Sequence, residues 1–523
     1  MKSMIQKRYL ELPKPDEADK RADLDRLLHA LEDEFGRVRA DYGALLKGAE
    51  IVRAAEYRVT ATLGYYVNSW TLLDIQAGDA TQRRYALACD LGSTTIAVQL
   101  IDLNAARVVA TETAVNAQVS LGTDILTRIF YTRESGLQEE RRAQMRALAV
   151  ETIDGCIERL LSENDVDAAD CPMMTLAGNT TMTHFLLGVD AFCVFSTPFA
   201  PAFNAVPVLN ARELGFRYGG RLYCFPSAAN YLGGDVISGL LSVGIMEGDA
   251  VSLFVDIGTN GEMAIGCRDF LVAGAGAAGP ALEGGISEFG VRAMPGAVNR
   301  VHISGDLLRY TTIGNGAPRG ICGSGIVDLL AQMFLNGWMD ASGALVPDAS
   351  PRIRPVCRGD RPDELAVFYA EAEESALDCG LSFTQTDIAQ FTETKAAAHT
   401  MVACLLEASG VSPDQLEHIY LAGGFGEHLN LESAIAIGLY PDLPREKFVA
   451  AGNTSLAGAR KLLLDRGGFE GITHILDQLY YLEFAMQPNF LELMGAARFY
   501  PHTNAELYPS VRFAPERNVK FYI

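Results

Sequence analysis

Residues 90–95 read Asp90-Leu91-Gly92-Ser93-Thr94-Thr95, and apolar segments flank them at 86–90 and 95–102. The flanking segments predict two strands joined by a tight turn, in which Gly92 is expected to adopt a positive φ. Backbone N–H groups and hydroxyls that converge at such a turn suit a phosphate, and the aspartate at the strand end suits hydrated Mg²⁺. Taken alone, a hairpin with Gly and Ser is also common as a purely structural element.

A second stretch repeats the order acid, apolar residue, glycine, hydroxyl residue. Residues 256–262 read Asp256-Ile257-Gly258-Thr259-Asn260-Gly261-Glu262 between predicted strands at 252–256 and 262–266. Two such turns are expected to hold one triphosphate and one Mg²⁺ from opposite walls of a cleft, because two facing carboxylates repel each other unless a cation lies between them. The pair therefore predicts ATP and Mg²⁺ as ligands, with Asp90 and Asp256 in contact with the metal through water.

Two further stretches follow a strand–glycine–helix order. One reads Leu421-Ala422-Gly423-Gly424-Phe425-Gly426 after a predicted strand, and the other reads Gly178-Asn179-Thr180 after another. Each half of the chain thus holds a glycine hairpin and later a strand–glycine–helix step, which predicts a duplicated architecture. The later glycines and Phe425 are expected to contact adenine or ribose, because glycine lets the backbone approach a flat ligand closely. A tight strand-to-helix turn without a ligand is the alternative.

The candidate site residues fall into two groups. The candidates for catalysis are acids that bind the metal or activate the attacking water: Asp90, Asp256, Glu262 and Glu283, with Asp124 and Gln118 as alternatives for the water. The candidates for nucleotide binding lie in glycine-containing turns: Gly92, Ser93, Thr94, Thr95, Gly258, Thr259, Asn260, Gly261, Gly323, Ser324, Gly423, Gly424 and Phe425. Gly323 and Ser324 either line the cleft or pack a helix tightly. A salt bridge is the default expectation for Lys395, and a nucleotide or inter-lobe contact is the alternative.

The turns resemble the two phosphate motifs and the adenosine motif of the superfamily of acetate and sugar kinases, heat-shock chaperones and actin (ASKHA). Other segments along nearly the whole chain resemble the reductive activators of corrinoid proteins. Those enzymes use ATP to return a methyltransferase's inactive Co(II) corrinoid to Co(I). The segments are Lys14-Pro15, Ala22–Leu27, Asn116-Ala117-Gln118, Gly122-Thr123-Asp124, Gly178–Met182, Ala278–Gly284, Gly320–Gly325 and Phe499–His502.

The resemblance implies an α/β fold of duplicated actin-like, ribonuclease H-like ATPase lobes with a small N-terminal α+β domain. The corresponding division is a linker or tail at 1–20, the small domain at 21–84, a first lobe at 85–250, and a second lobe with a C-terminal extension at 251–523. The resemblance also implies a homodimer, and a corrinoid protein of a methyltransferase system as the partner.

One departure from that family concerns the source of the electron. Its members commonly begin with a plant-type 2Fe–2S domain held by cysteines, whereas the first of the ten cysteines here is Cys89. The sequence therefore predicts no iron–sulfur cluster in this chain and a separate ferredoxin or flavodoxin-like electron donor. Two alternatives stay open: a small-molecule kinase of the same superfamily, and a nucleotide-dependent scaffold or chaperone without a redox role.

Composition limits the other classes of partner. The 523 residues carry 43 basic and 65 acidic side chains, a net charge of −22, which argues against nucleic acid and anionic membranes as partners. The sequence shows no signal peptide and no run of about 18 apolar residues. Scattered cysteines without metal-binding spacing fit a reducing compartment, so a cytoplasmic location is expected.

Overall fold

The computed structural model describes residues 2–66, 68–258, 261–276, 285–356 and 363–512. The chain divides into two compact units, Met1–Gly244 together with Thr454–Asp477, and Ile245–Asn453 together with Gln478–Ile523. The first unit contains a small N-terminal domain and the first lobe, and the second unit contains the second lobe. Within the described ranges, no helix combines the length and the apolar character needed to cross a membrane.

The N-terminal domain is a four-stranded sheet with two helices. Its elements are β1 (Ile5–Glu11), α1 (Asp23–Phe35), β2 (Val38–Ala40), α2 (Tyr42–Ala54), β3 (Arg58–Tyr66) and β4 (Ser69–Ala77). The strands lie in the order β1-β3-β4-β2, and α1 contributes Leu27 and Leu31, which lie one helical turn apart, to the core of the domain. Residues 1–20 were predicted to form a linker or tail. Residues 5–11 instead form a strand, because they pair along their whole length with β3.

A buried ion pair fastens the N-terminal domain to the first lobe. Lys7 on β1 donates to Asp170 Oδ1 at 2.8 Å. Gln76 donates to the same oxygen at 3.0 Å, and Arg83 donates to Asp170 Oδ2 at 2.6 Å. Burial alone would raise the pKa of Asp170, but these hydrogen bonds outweigh it and hold the pKa below its usual value. A depressed pKa means that the ionised carboxylate stabilises the fold above its unfolded pKa of 3.8 and that this stability is lost as the pH falls further.

Replacing Lys7 by methionine is expected to lower the free energy of unfolding by about 2–3 kcal/mol at pH 7, because it removes one partner of a buried carboxylate that keeps two others. The difference from the wild type should shrink as the pH falls below 3.8, because Asp170 is protonated first in the unfolded chain and, at still lower pH, in the folded protein. Chemical denaturation at pH 7 and pH 3 measures both values. The control is Lys14→Met, since the pair of Lys14 with Glu56 at 3.4 Å is exposed. Equal effects of the two substitutions at pH 7 would show that the buried pair adds no stability.

The first lobe is built on a six-stranded mixed sheet with helices packed against it. Its strands are β5 (Tyr85–Leu91), β6 (Thr95–Asp102), β7 (Arg107–Val115), β8 (Met173–Gly178), β9 (Leu209–Asn210) and β10 (Arg221–Cys224), in the order β7-β6-β5-β8-β10-β9. Its helices are α3 (Ile125–Tyr131), α4 (Gln138–Glu163), α5 (Thr180–Leu187), α6 (Phe192–Phe195) and α7 (Gly234–Val243). The central strand β8 is buried throughout, as expected for a continuous apolar run covered on both faces.

Within its described residues, the second lobe contains one six-stranded sheet and two three-stranded sheets. Its strands are β11 (Ser252–Ile257), β12 (Gly261–Cys267), β13 (Phe270–Gly276), β14 (Ala297–Ser304), β15 (Leu307–Thr312), β16 (Gly320–Ile321), β17 (Ile353–Val356), β18 (Glu364–Ala370), β19 (Leu381–Thr384), β20 (His418–Ala422), β21 (Phe448–Gly452) and β22 (Leu479–Tyr481). The sheet orders are β21-β20-β11-β12-β13-β22, β15-β14-β16 and β17-β18-β19. The helices from residue 323 onward are α8 (Gly323–Leu335), α9 (Gln385–Ser409), α10 (Gly423–His428), α11 (Leu431–Ala436), α12 (Thr454–Leu464), α13 (Gly468–Gln478) and α14 (Phe490–Ala497).

The two six-stranded sheets repeat the same core. The order β7-β6-β5-β8-β10 corresponds strand for strand to β13-β12-β11-β20-β21, with antiparallel hairpins on one side and parallel strands on the other. Asp90 pairs with Ala177 in the first sheet, and Asp256 pairs with Ala422 in the second. Each alanine directly precedes the glycine of a strand–glycine–helix step. The predicted duplicated α/β architecture is therefore confirmed.

Residues 251–523 were predicted to form the second lobe as one continuous segment. Helix α12 departs from this prediction, because it belongs to the first unit although it follows β21 of the second unit. Gly458 permits its packing, since a Cβ there would lie 1.9 Å from Ser238 O on α7. Ser238 Oγ donates to Ser455 O at 2.7 Å, and Thr175 Oγ1 on β8 donates to Ala459 O at 2.9 Å. These bonds fix α12 to both α7 and the sheet of the first lobe.

Candidate nucleotide-binding site

The first predicted phosphate turn joins β5 to β6. Gly92 does not adopt a positive φ, so the predicted reason for glycine is wrong. A Cβ at this position would lie 2.4 Å from the carbonyl oxygen of Thr95, so glycine is required by the close approach of two backbone segments. Asp90, Ser93 and Thr94 are half-buried and Thr95 is exposed, which places the turn at the surface of its unit.

The carbonyl groups of this turn accept hydrogen bonds from the interior of the lobe. Asn116 Nδ2 donates to Gly92 O at 2.9 Å, and the Asn116 backbone N–H donates to Thr94 O at 2.9 Å. Arg128 Nη1 donates to Ser93 O at 2.6 Å, and both Asn116 and Arg128 are fully buried. In the part of the chain that the structure describes, no hydrogen bond uses the N–H groups of residues 92–94. The turn therefore offers its N–H side to an anion such as phosphate.

Asp90 is oriented by a residue that is distant in sequence. Ser455, in the first turn of α12, donates through Oγ to Asp90 Oδ1 at 2.8 Å and is itself buried. A hydrogen bond to a charged acceptor is stronger than one between neutral groups. Ser455 therefore fixes the direction of the carboxylate that the sequence assigns to Mg²⁺.

Ser455→Ala is expected to lower the rate of ATP hydrolysis about tenfold, because it removes a hydrogen bond to the Asp90 carboxylate, and a hydrogen bond to a charged group is worth about 1.5–3 kcal/mol. Ser455→Thr keeps the hydroxyl and should retain most of the activity. The control is Ser242→Ala on α7, whose hydroxyl donates to Gly239 O within the same helix. Steady-state phosphate release measures all three variants, and equal rates for Ser455→Ala and the control would contradict the assignment.

The second predicted turn joins β11 to β12. Asp256 pairs directly with Glu262 across the two strands, and both residues are half-buried. Side chains of directly opposed residues in an antiparallel pair have Cβ atoms about 4.5–5.5 Å apart, so the two acids are neighbours on one face. Neighbouring carboxylates favour a bound cation. Gly258 and Gly261 flank the turn, whereas the predicted phosphate contacts Thr259 and Asn260 lie outside the described residues.

The predicted nucleoside glycines begin α10, beside Asp256. Gly423 has a φ of +77°, and a Cβ there would lie 3.2 Å from Asp256 Oδ1, so glycine suits both the backbone and the nearby carboxylate. Gly424 is exposed, and a Cβ there would meet no atom within 4 Å. That open space is compatible with the predicted nucleoside contact. The side chain of Phe425 lies outside the described residues.

Tyr440 lies near the same carboxylate. Its side chain is buried, and burial raises its pKa, with a smaller contribution from the charge of Asp256. Asp256 therefore has a buried aromatic neighbour as well as the backbone of Gly423 beside it.

Gly323 and Ser324, which were also predicted to contact the nucleotide, lie in a tightly packed part of the second lobe. Gly323 and Ser324 are buried at the start of α8. A Cβ at Gly325 would lie 2.2 Å from Val298 O on β14, which favours the tight-packing alternative for this loop. Their contact with nucleotide stays a prediction, and the predicted acid Glu283 lies outside the described residues.

Asp124 and Gln118, the two alternative candidates for activating water, form hydrogen bonds with other residues of the first lobe. Asp124 is the N-terminal cap of α3 and accepts hydrogen bonds from the Thr127 hydroxyl and N–H at 2.6 and 2.8 Å, which lower its pKa. Gln118 is fully buried, and its Nε2 donates to Met145 O at 2.8 Å. Glu262 therefore remains the described candidate that lies directly opposite a predicted metal ligand, Asp256.

Arg128 and Ser455, which hydrogen-bond to the first turn and to its aspartate, were not predicted as candidates. A signal for Ser455 was present, since Ala451-Gly452-Asn453-Thr454 repeats Ala177-Gly178-Asn179-Thr180 and each run lies where a strand meets a helix. No comparable signal marks Arg128, because an arginine on a helical stretch usually reads as an exposed residue.

Models of known protein families match the chain along most of its length. Models described as the RACo linker region and the RACo middle region match residues 1–82 and 85–248. A model described as the C-terminal domain of RACo, the ASKHA domain, matches residues 250–512, which is half of the chain. This protein belongs to the RACo family. The match confirms the predicted ASKHA membership, and the RACo linker region includes the N-terminal domain.

Individual relatives extend over most of the chain. A solved structure titled reductive activator for corrinoid, iron–sulfur protein superposes with a TM-score of 0.86 and 37% identity, covering 98% of this chain and 81% of that one. The corrinoid activation enzyme RamQ of Eubacterium limosum is 28% identical over 459 residues, 86% of this chain and 76% of RamQ. A [Co(II) methylated amine-specific corrinoid protein] reductase of Methanosarcina barkeri is 23% identical over 433 residues, 76% of this chain and 73% of the reductase. The RACo fold is therefore shared along nearly the whole sequence.

Proposed function

We propose that this protein hydrolyses ATP to drive the reduction of a Co(II) corrinoid protein to Co(I). The observation that carries the proposal is the match over 98% of the chain to a reductive activator for a corrinoid, iron–sulfur protein. The names of two curated relatives, a corrinoid activation enzyme and a Co(II) corrinoid protein reductase, support the same reaction. A sugar or acid kinase has no comparable support from these relatives.

The two duplicated turns are the proposed site of ATP. The inward carbonyls of residues 92–94 support phosphate binding at the first turn. The paired acids Asp256 and Glu262 support a cation at the second. We assign Asp90 and Asp256 to Mg²⁺ through water, and Glu262 to the attacking water. When bound, Mg²⁺ neutralises phosphate charge during hydrolysis.

The electron that reduces Co(II) has a source separate from ATP hydrolysis. Reduction of Co(II) to Co(I) adds one electron to cobalt and needs a reductant, which hydrolysis does not supply. We propose a separate low-potential carrier of the ferredoxin or flavodoxin class. An unfavourable electron transfer costs about 2.3 kcal/mol per 100 mV, and ATP can offset this cost only if the nucleotide-bound protein distinguishes between two states of the corrinoid protein.

Anaerobic visible spectroscopy tests the proposal. A Co(II) corrinoid protein of a methyltransferase system is mixed with this protein, a low-potential reductant and either ATP or ADP. We expect the Co(I) band to form with ATP and not with ADP, and phosphate release to rise when the corrinoid protein is added. ATP-independent reduction, or phosphorylation of a sugar or acid instead, would refute the proposal.

A further inference from the structure

Arg128 is a buried cation behind the first phosphate turn. Its side chain is fully buried, and burial lowers its pKa to about 10 although the charge of Asp124 acts in the opposite direction. None of the ion pairs in the described ranges includes Arg128, and its Nη2 is buried without a hydrogen-bond partner. A buried charge without an ion pair is costly, so its presence requires a physical reason beyond packing.

Two backbone carbonyls hold the guanidinium in place. Nε donates to Gly122 O at 2.8 Å, and Nη1 donates to Ser93 O at 2.6 Å. Ser93 is the middle residue of the turn, and Asn116 binds the carbonyls on either side of it. Arg128 therefore helps to turn three successive carbonyls inward, which leaves the N–H groups of the turn directed away from them.

We propose that Arg128 is a positioning residue for the outer phosphates of ATP, acting through the first turn and adding a positive charge behind it. The proposal rests on the proposed function, since it assumes ATP at this turn. A charge in the low-dielectric interior of the lobe acts more strongly on a nearby anion than the same charge in water. It would favour a triphosphate over a ligand that lacks the outer phosphates.

The test compares affinities for ATP and AMP, because AMP lacks the two outer phosphates. Arg128→Met should weaken ATP binding about 10- to 100-fold, the range expected for loss of a charged hydrogen-bonding group. AMP binding should change by less than about twofold. Arg128→Lys keeps the positive charge but loses the planar guanidinium with its fixed set of donors. Its ATP affinity should therefore lie between those of the wild type and Arg128→Met. The control is Arg133→Met, since Arg133 lies over the Phe192 ring at the surface and pairs with Asp190.

The ratio of ATP to AMP affinity, measured by titration calorimetry, separates positioning from general damage. A structural defect would weaken the binding of ATP and of AMP equally, whereas the proposal requires a change in the ratio of the two affinities. If Arg128→Met does not fold, Arg128→Lys decides alone, and a wild-type ratio in either variant overturns the inference. If the wild-type protein itself binds no ATP, the proposed function fails as well, so the two failures are distinguishable.

Discussion

Asp256→Asn is expected to lower the rate of ATP hydrolysis by about 100-fold or more, the scale of loss when one electrostatic contact to a transition state is removed. Asparagine keeps the shape of the side chain but removes its charge. Asp256 pairs with Glu262 and lies beside the backbone of Gly423, so the loss of charge falls where two acids are proposed to attract Mg²⁺. The Mg²⁺ concentration for half-maximal rate should rise along with the loss in kcat.

The matched control is Asp249→Asn in the same lobe. Its carboxylate is 83% exposed and forms a surface pair with Arg268, so the rate should stay at the wild-type value. Asp90→Asn should behave like Asp256→Asn, because the two aspartates occupy equivalent positions in the duplicated sheets. A normal rate for either variant would remove that aspartate from the proposed site.

Lys395→Met is expected to lower the free energy of unfolding by about 3–5 kcal/mol, because it leaves several buried acceptors without their donor. Lys395 on α9 is fully buried, and its Nζ donates to Ala497 O at 2.6 Å, to Pro501 O at 2.7 Å and to Phe499 O. Its ammonium also lies 5.0 Å from the centre of the Tyr500 ring. Burial lowers its pKa to about 7. Lys395 thus holds the segment after α14 against α9.

Chemical denaturation measures this loss, and limited proteolysis locates it in residues 490–510. Arg498→Met is the matched control, since Arg498 lies in the same segment but forms an exposed pair with Glu393 at 2.8 Å. Exposed pairs contribute about 0–1 kcal/mol. Equal stability of the two variants would show that the buried carbonyls find other donors. In that case, Lys395 would not be what fastens the segment.

The sequence predicted those parts of the fold that are encoded locally. The order acid, apolar residue, glycine, hydroxyl residue lies within seven residues at 90–95 and 256–262, so both hairpins were found together with their strands. The strand–glycine–helix step at Gly423 was found for the same reason. Its glycine is needed for a positive φ, a requirement that acts on one residue.

Contacts between remote segments could not be predicted in the same way. Ser455 reaches Asp90 across 365 positions of sequence, and the packing of α12 against α7 and the sheet of the first lobe brings them together. Strand β1 was missed because its seven residues include the polar side chains of Gln6, Lys7 and Arg8. These residues form a strand by pairing with β3, which is remote in sequence. The salt bridge favoured for Lys395 was wrong, since backbone carbonyls more than 100 residues away take the place of an acid.

Mg²⁺–ATP affinity in a double-mutant cycle tests the central claim that both aspartates act on one nucleotide. The proteins are the wild type, Asp90→Asn, Asp256→Asn and the double variant, each titrated with ATP at fixed Mg²⁺. If both carboxylates bind the same metal, the effects are not additive, and the coupling energy is at least about 1 kcal/mol with one ATP per chain. Effects that add to within about 0.5 kcal/mol would contradict the account.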